Sequence, residues 1–369
     1  MLELLLLCQI GFATFIQVVA PTTISDGPYI FHQKDGTLKS ISIVENEVIS
    51  ETIKLQEAGT KIPTTIPFVP IISLGTKSGS IPASKHELPS KLLAVSDLEG
   101  NLPHLIQFLQ THNIIDMNFD WAWGDGHLLF NGDSVDRGEQ VTELLWFIRK
   151  LQQQANAAGG QVHFVLGNHD VMILADDIRY THNKYKSVAE LTGIPYHELF
   201  GETSVLGKWL RNQNSIVQIG PYIFVHAGFS PELHKTGLSL TEINNRIRLA
   251  IGPPAWPDRD ELATSLAWHS KGPLWYRGYF EKHAEKYGPK PTAKELQAIL
   301  DFHKATAIIV GHTVTGNVGY LDGNKHLIGI DVHWDTMGEG EGLLITNGVR
   351  TRLTYDGESK ELLDIPTGK

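Results

Sequence analysis

A single cysteine, Cys8, stands in this chain of 369 residues. Without a second one no disulfide forms within the chain, and Cys8 lies inside an N-terminal apolar stretch, which also excludes chemistry through a cysteine nucleophile. No run of lysine and arginine collects into a basic patch, and the formal net charge is -10. That balance repels nucleic-acid backbones and anionic lipid surfaces, so no nucleic-acid partner is expected. There is no internal repeat and no low-complexity block. Charged residues make up 20% and hydrophobic ones 41%, the composition of a globular chain with a large core rather than a disordered one. The length points to one decorated domain.

From Leu4 to Ala20 the chain is apolar apart from Gln9, Thr14 and Gln17. That run is too short for a confident membrane span and sits where the core of a secretory signal would, so no span is expected in the mature chain. Residues 1–25 therefore read as a signal peptide, with a periplasmic or otherwise extracytoplasmic location as the consequence. Glu3, where a basic residue is usual, and Pro21, just past the V-V-A, fit that pattern poorly. An uncleaved anchor and a cytoplasmic chain are the alternatives.

Residues 26–90 read as a β-rich leading segment and linker. Short β-prone runs at Tyr29 to His32, Lys39 to Val44 and Val48 to Leu55 are separated by turn signals such as Asp35-Gly36, and Gly59 to Pro89 reads as a loop rich in Pro, Gly, Ser and Thr. The main domain is expected over 91–365. There, apolar runs at Leu92 to Ser96, Leu128 to Phe130, Val162 to Leu166, Tyr222 to Val225, Ile308 to Val310 and Leu327 to Ile330 alternate with helix-like stretches such as Leu102 to Asn113 and Val141 to Ala158. Strands buried on both faces need helices to cover them, so the fold class is α/β. Asp97 to Asp133 spans 36 residues and Asp133 to Asn168 spans 35, each the length of one strand, helix and loop, which predicts two successive βαβ units. The tail from Gly342 to Leu363 reads as strands around Tyr355-Asp356-Gly357.

Five motifs fall where apolar runs end: S-D-L-E-G-N (Ser96 to Asn101), N-G-D-S-V-D-R-G (Asn131 to Gly138), G-N-H-D (Gly167 to Asp170), H-A-G (His226 to Gly228) and G-H-T (Gly311 to Thr313). In open α/β sheets ligands bind beyond the carboxyl ends of the strands. Two divalent ions sharing a carboxylate can hold a hydroxide between them and stabilise an in-line displacement at phosphorus. Such a centre needs several carboxylates, some imidazoles and a neutral oxygen donor, and Asp97, Glu99, Asp133, Asn168, His226 and His312 supply that set.

The order of these motifs resembles that of the calcineurin-like metallophosphoesterases. V-D-R-G together with H-A-G-F-S-P-E-L resembles the phosphoprotein phosphatase branch, and G-K-W-L-R (Gly207 to Arg211) with L-W-Y-R-G (Leu274 to Gly278) resembles the bacterial Shewanella-like phosphatases. The resemblance covers roughly Leu92 to Val332. It implies a metallophosphoesterase-type β-sandwich with flanking helices and a metal-dependent phosphomonoesterase acting on a phosphorylated protein or small phosphomonoester. Carried over position by position, it puts Asp97 and Glu99 on a first metal, Asp133 between two metals, and Asn168, His226 and His312 on the second. It makes His169 the acid that protonates the leaving oxygen, Asp136 its orienting carboxylate, Arg137 the phosphate clamp and Arg277 a second clamp.

Two departures bear on these expectations. Glu99 stands where the family pattern has histidine, and a carboxylate there biases the first site toward manganese, magnesium or iron over zinc. Manganese is the favoured ion. Val314 follows G-H-T where phosphodiesterase-type relatives carry another histidine, which favours the phosphatase branch. Asp331 and His333, in I-D-V-H after the next strand, are placed where they could reach the cleft, with a structural role as the expectation for both, and His127 and His163 read as scattered polar residues. The competing functions are hydrolysis of a dinucleoside polyphosphate on the same fold and a metal-free scaffold.

Overall fold

The computed structural model of the protein describes residues 23–57, 59–75, 79–252 and 260–368. Most of the expected signal or anchor, residues 1–22, lies outside the described residues. Among those described, no helix is long and apolar enough to cross a membrane.

Two sheets face each other with helices outside them, the α/β sandwich expected. The six-stranded sheet is built on Lys91–Val95, His127–Asn131 and Gln161–Val165, which run parallel in that order. Leu92, Leu93, Ala94 and Val95 are fully buried, as strands covered on both faces must be. The helices Leu102–Thr111 and Val141–Ala157 make the two crossovers. Leu144, Leu145, Phe147, Ile148 and Leu151 recur at helical spacing along the second and are all buried. The seven-stranded sheet places Tyr222–Val225, Ala307–Val310 and Leu327–Gly329 side by side in parallel.

The leading segment forms a three-stranded antiparallel meander, Asp26–His32, Thr37–Val44 and Glu47–Lys54. It is tied to the main body by buried polar contacts: Asp26 pairs with Lys184 at 2.8 Å, Lys184 with Glu143 at 3.1 Å, and the Trp146 indole donates to the Pro28 carbonyl at 2.9 Å.

Three expectations need correction. The stretch 59–89 is not a plain loop: Thr60–Pro63 pairs with Ile71–Leu74, and Lys85–His86 joins the edge of the seven-stranded sheet. Its prolines hide the pattern, yet Ile62, Ile66, Val69 and Ile72 are buried. In the tail, the main hairpin, Glu341–Thr346 with Val349–Thr354, turns at Asn347-Gly348, while Asp356-Gly357 leads only to the two-residue strand Ser359–Lys360. His127 and His163 are not scattered; their rings meet at 3.0 Å between nitrogens, and His86 stacks against His163.

Candidate metal centre and catalytic cavity

Register decides which side chains meet. Just past the carboxyl ends of the three parallel strands of the six-stranded sheet come Asp97, Asp133 and Asn168. Past the three parallel neighbours of the other sheet come His226, His312 and Asp331. The two sets converge on a cavity of about 380 Å³ whose wall includes Asp97, Glu99, Asp133, Arg137, His169, Arg277, His312 and Asp331.

The chain must turn sharply at each strand end to aim these groups inward. Asp97, Glu99, Asp133, Asp136, Arg137 and His312 all lie at φ between 47° and 71°, the left-handed region that side chains occupy at a cost of roughly 1–3 kcal/mol each when it is sparsely populated for their type. Glycines make the close approaches possible. A Cβ on Gly132, at φ +92°, would meet the His226 ring at 2.4 Å, and one on Gly311 would meet the Asp97 carboxylate at 2.4 Å.

Nε2 of His226 lies 3.1 Å from Asp133 Oδ2 and 3.0 Å from Asn168 Oδ1, while its Nδ1 bonds the Asn131 carbonyl at 2.9 Å. That backbone bond fixes the ring so that Nε2 faces the oxygens. Donor atoms of Asp133, His226 and His312 lie within 4.8 Å of one another, and so do those of Glu99, Asp133 and His169. Asp133 is common to both groups. Asp97 falls in neither, but it borders the same cavity and accepts the His312 N–H on its two oxygens at 3.1 and 3.2 Å.

The electrostatics of this cluster call for cations. Burial and repulsion from Asp133 outweigh the pull of His226 and push the Asp97 carboxyl up to about 6. Burial would raise Asp133 too, but His226 and His169 outweigh it and hold it below the usual carboxylate range. Burial disfavours charge on His226, yet Asp133 and Asp97 raise it to about 10. An imidazolium is thus drawn to where the carboxylates demand positive charge. The donor set, carboxylates, imidazoles and one amide oxygen, is the chemistry that divalent ions take.

His169 is the second residue of the helix Asn168–Leu174, its N–H bonded to Asp133 Oδ1 at 2.9 Å. Its Nδ1 meets Asp136 Oδ2 at 2.8 Å, and the Thr181 hydroxyl donates to the other Asp136 oxygen at 3.0 Å. Burial alone would lower His169, but Asp133 and Asp136 raise it above the ordinary imidazole value. Glu99 turns its carboxylate to an ion pair with Arg137, and Arg277 donates through Nε to His312 Nε2 at 3.0 Å. Burial, Arg277 and His226 together push His312 well down, leaving it neutral. All ten residues singled out in the sequence are therefore brought around one cavity or into direct contact with its wall.

Four further residues belong to this region. Asp170 is fully buried and accepts the N–H groups of Gly167, Asp133 and Ser134 at 2.7, 3.0 and 3.2 Å, clamping two of the motif loops together. Tyr180, 45% exposed, stacks on the His169 ring at 5.0 Å and lies against the Arg137 guanidinium at 5.4 Å. Asp331 and His333, expected to be structural, both border the cavity. The signal for Asp331 was present: it follows an apolar run just as the five motifs do.

A sequence model of the calcineurin-like phosphoesterase family matches residues 90–316. Shewanella-like protein phosphatase 1 of Plasmodium berghei is 28% identical over 226 residues, covering 60% of this chain and 61% of that protein. A symmetrical bis(5'-nucleosyl)-tetraphosphatase of Methylococcus capsulatus is 32% identical over 146 residues, covering 38% of this chain and 44% of that protein. The first curated relatives are thus spanned over only 62% and 61% of their own length. The crystal structure of a cold-active protein-tyrosine phosphatase from a psychrophilic Shewanella species superposes with a TM-score of 0.82 at 33% identity, covering 92% of this chain and 100% of that one.

Proposed function

This chain belongs to the calcineurin-like phosphoesterases, and from that membership we propose that it hydrolyses phosphate monoesters, those of phosphorylated protein side chains above all, with two divalent cations in the cavity. The observation that carries this reading is that Asp133 is shared by two converging donor groups. Asp97, Glu99 and Asp133 hold the first cation, and Asp133, Asn168, His226 and His312 the second. When bound, the cations neutralise phosphoryl oxygens and lower the pKa of a water enough for it to attack at neutral pH. The carboxylate-rich first set favours manganese.

Arg137 and Arg277 would grip the remaining phosphoryl oxygens, and Arg137, now paired with Glu99, would be free to do so with Glu99 serving as a cation ligand. His169, held as an imidazolium by Asp136, gives its proton to the leaving oxygen. Aryl phosphates are the favoured esters, in line with the likeness to the Shewanella tyrosine phosphatase along its whole length. The apolar run from Leu4 to Ala20, placed as the core of a secretory signal would be, supports an extracytoplasmic site of action. The likeness to the symmetrical tetraphosphatase supports a second reading, hydrolysis of a dinucleoside polyphosphate.

One assay separates them: turnover of p-nitrophenyl phosphate, its bis-ester and a dinucleoside polyphosphate, with manganese and with chelator. Fast, chelator-sensitive turnover of the monoester is expected. Turnover of the dinucleotide alone would replace the first reading with the second.

A further inference from the structure

The two sheets bring six strand ends to the cavity, and the sixth carries Asp331, to which the proposed centre gives no role. Its placement follows from register. Val310 pairs with Gly329 on the neighbouring parallel strand, so Asp331 stands two residues beyond that pair, level with His312, two residues beyond Val310. The backbone there is fixed: Ile330 N–H bonds the Val310 carbonyl at 2.8 Å, and the N–H and hydroxyl of Thr315 donate to the Asp331 carbonyl at 3.0 and 2.8 Å.

The side chain is only 4% exposed and borders the cavity. Its carboxylate has no hydrogen-bond donor and no ion-pair partner among the described residues. The charges that face it are Asp97 and Asp133, which repel it, and His226 and Arg277, which attract it without contact. A carboxylate taken out of water is ordinarily paired, hydrogen-bonded or bound to a metal.

We propose that Asp331 is a further carboxylate donor to the divalent-cation centre, acting on the Asp97 side. The inference rests on the two-cation reading. It gives Asp331 two effects of opposite sign: its charge holds cations in the loaded protein and adds repulsion when they are removed. A carboxylate kept for packing alone would not hold cations.

The test is Asp331→Asn, nearly the same shape without the charge, with Asp331→Glu beside it. Chelator-stripped protein is titrated with manganese by calorimetry, its metal content is measured after reloading, and its melting is followed in chelator. Asp331→Asn is expected to weaken manganese binding about 10- to 100-fold, the range of loss typical of groups that support a metal site, and to melt at or above wild type in chelator. Asp331→Glu should bind manganese within about threefold of wild type, because the charge is kept. Manganese affinity in Asp331→Asn equal to wild type, or a fall in its melting temperature in chelator, overturns the inference while leaving the two-cation reading in place. Wild-type protein that binds no manganese overturns both.

Discussion

Replacing Asp136 by asparagine isolates the proton that the leaving group needs. Asp136 is buried, with one oxygen 2.8 Å from His169 Nδ1 and the other accepting the Thr181 hydroxyl at 3.0 Å. Asparagine has the same shape and keeps an oxygen for one of these partners, so the substitution removes charge more than geometry. His169 is raised against the effect of burial by Asp133 and Asp136. With cations bound to Asp133 the charge of that carboxylate is spent on them, and Asp136 becomes the main source of the imidazole's proton affinity. An opposite charge at this range is worth about 1–3 pKa units, so His169 should fall by at least about one.

The sign follows from the raised value. His169 keeps its proton to higher pH than a free imidazole, so the activity that depends on it is lost as pH rises through the raised pKa. In Asp136→Asn that loss must come at lower pH. The assay is kcat against pH for manganese-loaded protein with an alkyl phosphate and with p-nitrophenyl phosphate. The alkoxide needs the proton and the nitrophenolate largely does not. Above the raised pKa the alkyl substrate should therefore slow about 10-fold for each pKa unit that His169 loses, and the nitrophenyl ester by much less. Equal losses on both substrates, or an alkaline limb that stays in place, would refute the assignment of His169 and Asp136.

Asp133→Asn removes the donor common to both groups; bound manganese should drop and turnover fall more than about 10³-fold, read by elemental analysis and initial rates. Glu143, pushed up to about 7 by burial and by repulsion from Asp26 despite Lys184, binds its proton more tightly folded than unfolded. Its favourable contribution is thus present below about pH 4.5 and lost as pH climbs through 7. Glu143→Gln should raise stability at pH 8 by about 1–3 kcal/mol and change little at pH 4.5, as thermal melts at the two pH values will show. Tyr180→Leu removes the exposed ring that lies against His169 and Arg137; kcat/KM for a phosphotyrosine peptide should fall about 3- to 10-fold, the worth of one aromatic contact, with little change for the matching phosphothreonine peptide.

The parallel strands were legible because each is a short apolar run buried on both faces, and Tyr222 to Val225 is observed with the bounds its sequence predicts. The convergence of the candidate site residues was legible for the same reason: acidic and imidazole residues recur one step past such runs, and spacings of 36 and 35 residues fit strand, crossover and loop. What stayed hidden depends on pairing across the fold. Lys85–His86 is too short to carry a period and is a strand only because Gln218 and Ile219 receive it. For Asp331 the position after an apolar run was legible, but its level with His312 comes from the register that sets Leu327–Gly329 beside Ala307–Val310. Asp170 reads as part of a motif, but its three N–H donors come from two separate loops.

The left-handed turns at the strand ends set a direction for sequence drift. Glycine would sit at these six positions with less strain, and asparagine would suit several of them. A copy released from its chemistry would gain stability by such replacements. Aspartate, glutamate, arginine and histidine held in these turns are what the proposed chemistry asks of them, and any thermostabilised version that settles on glycine there should be screened for turnover before it is kept.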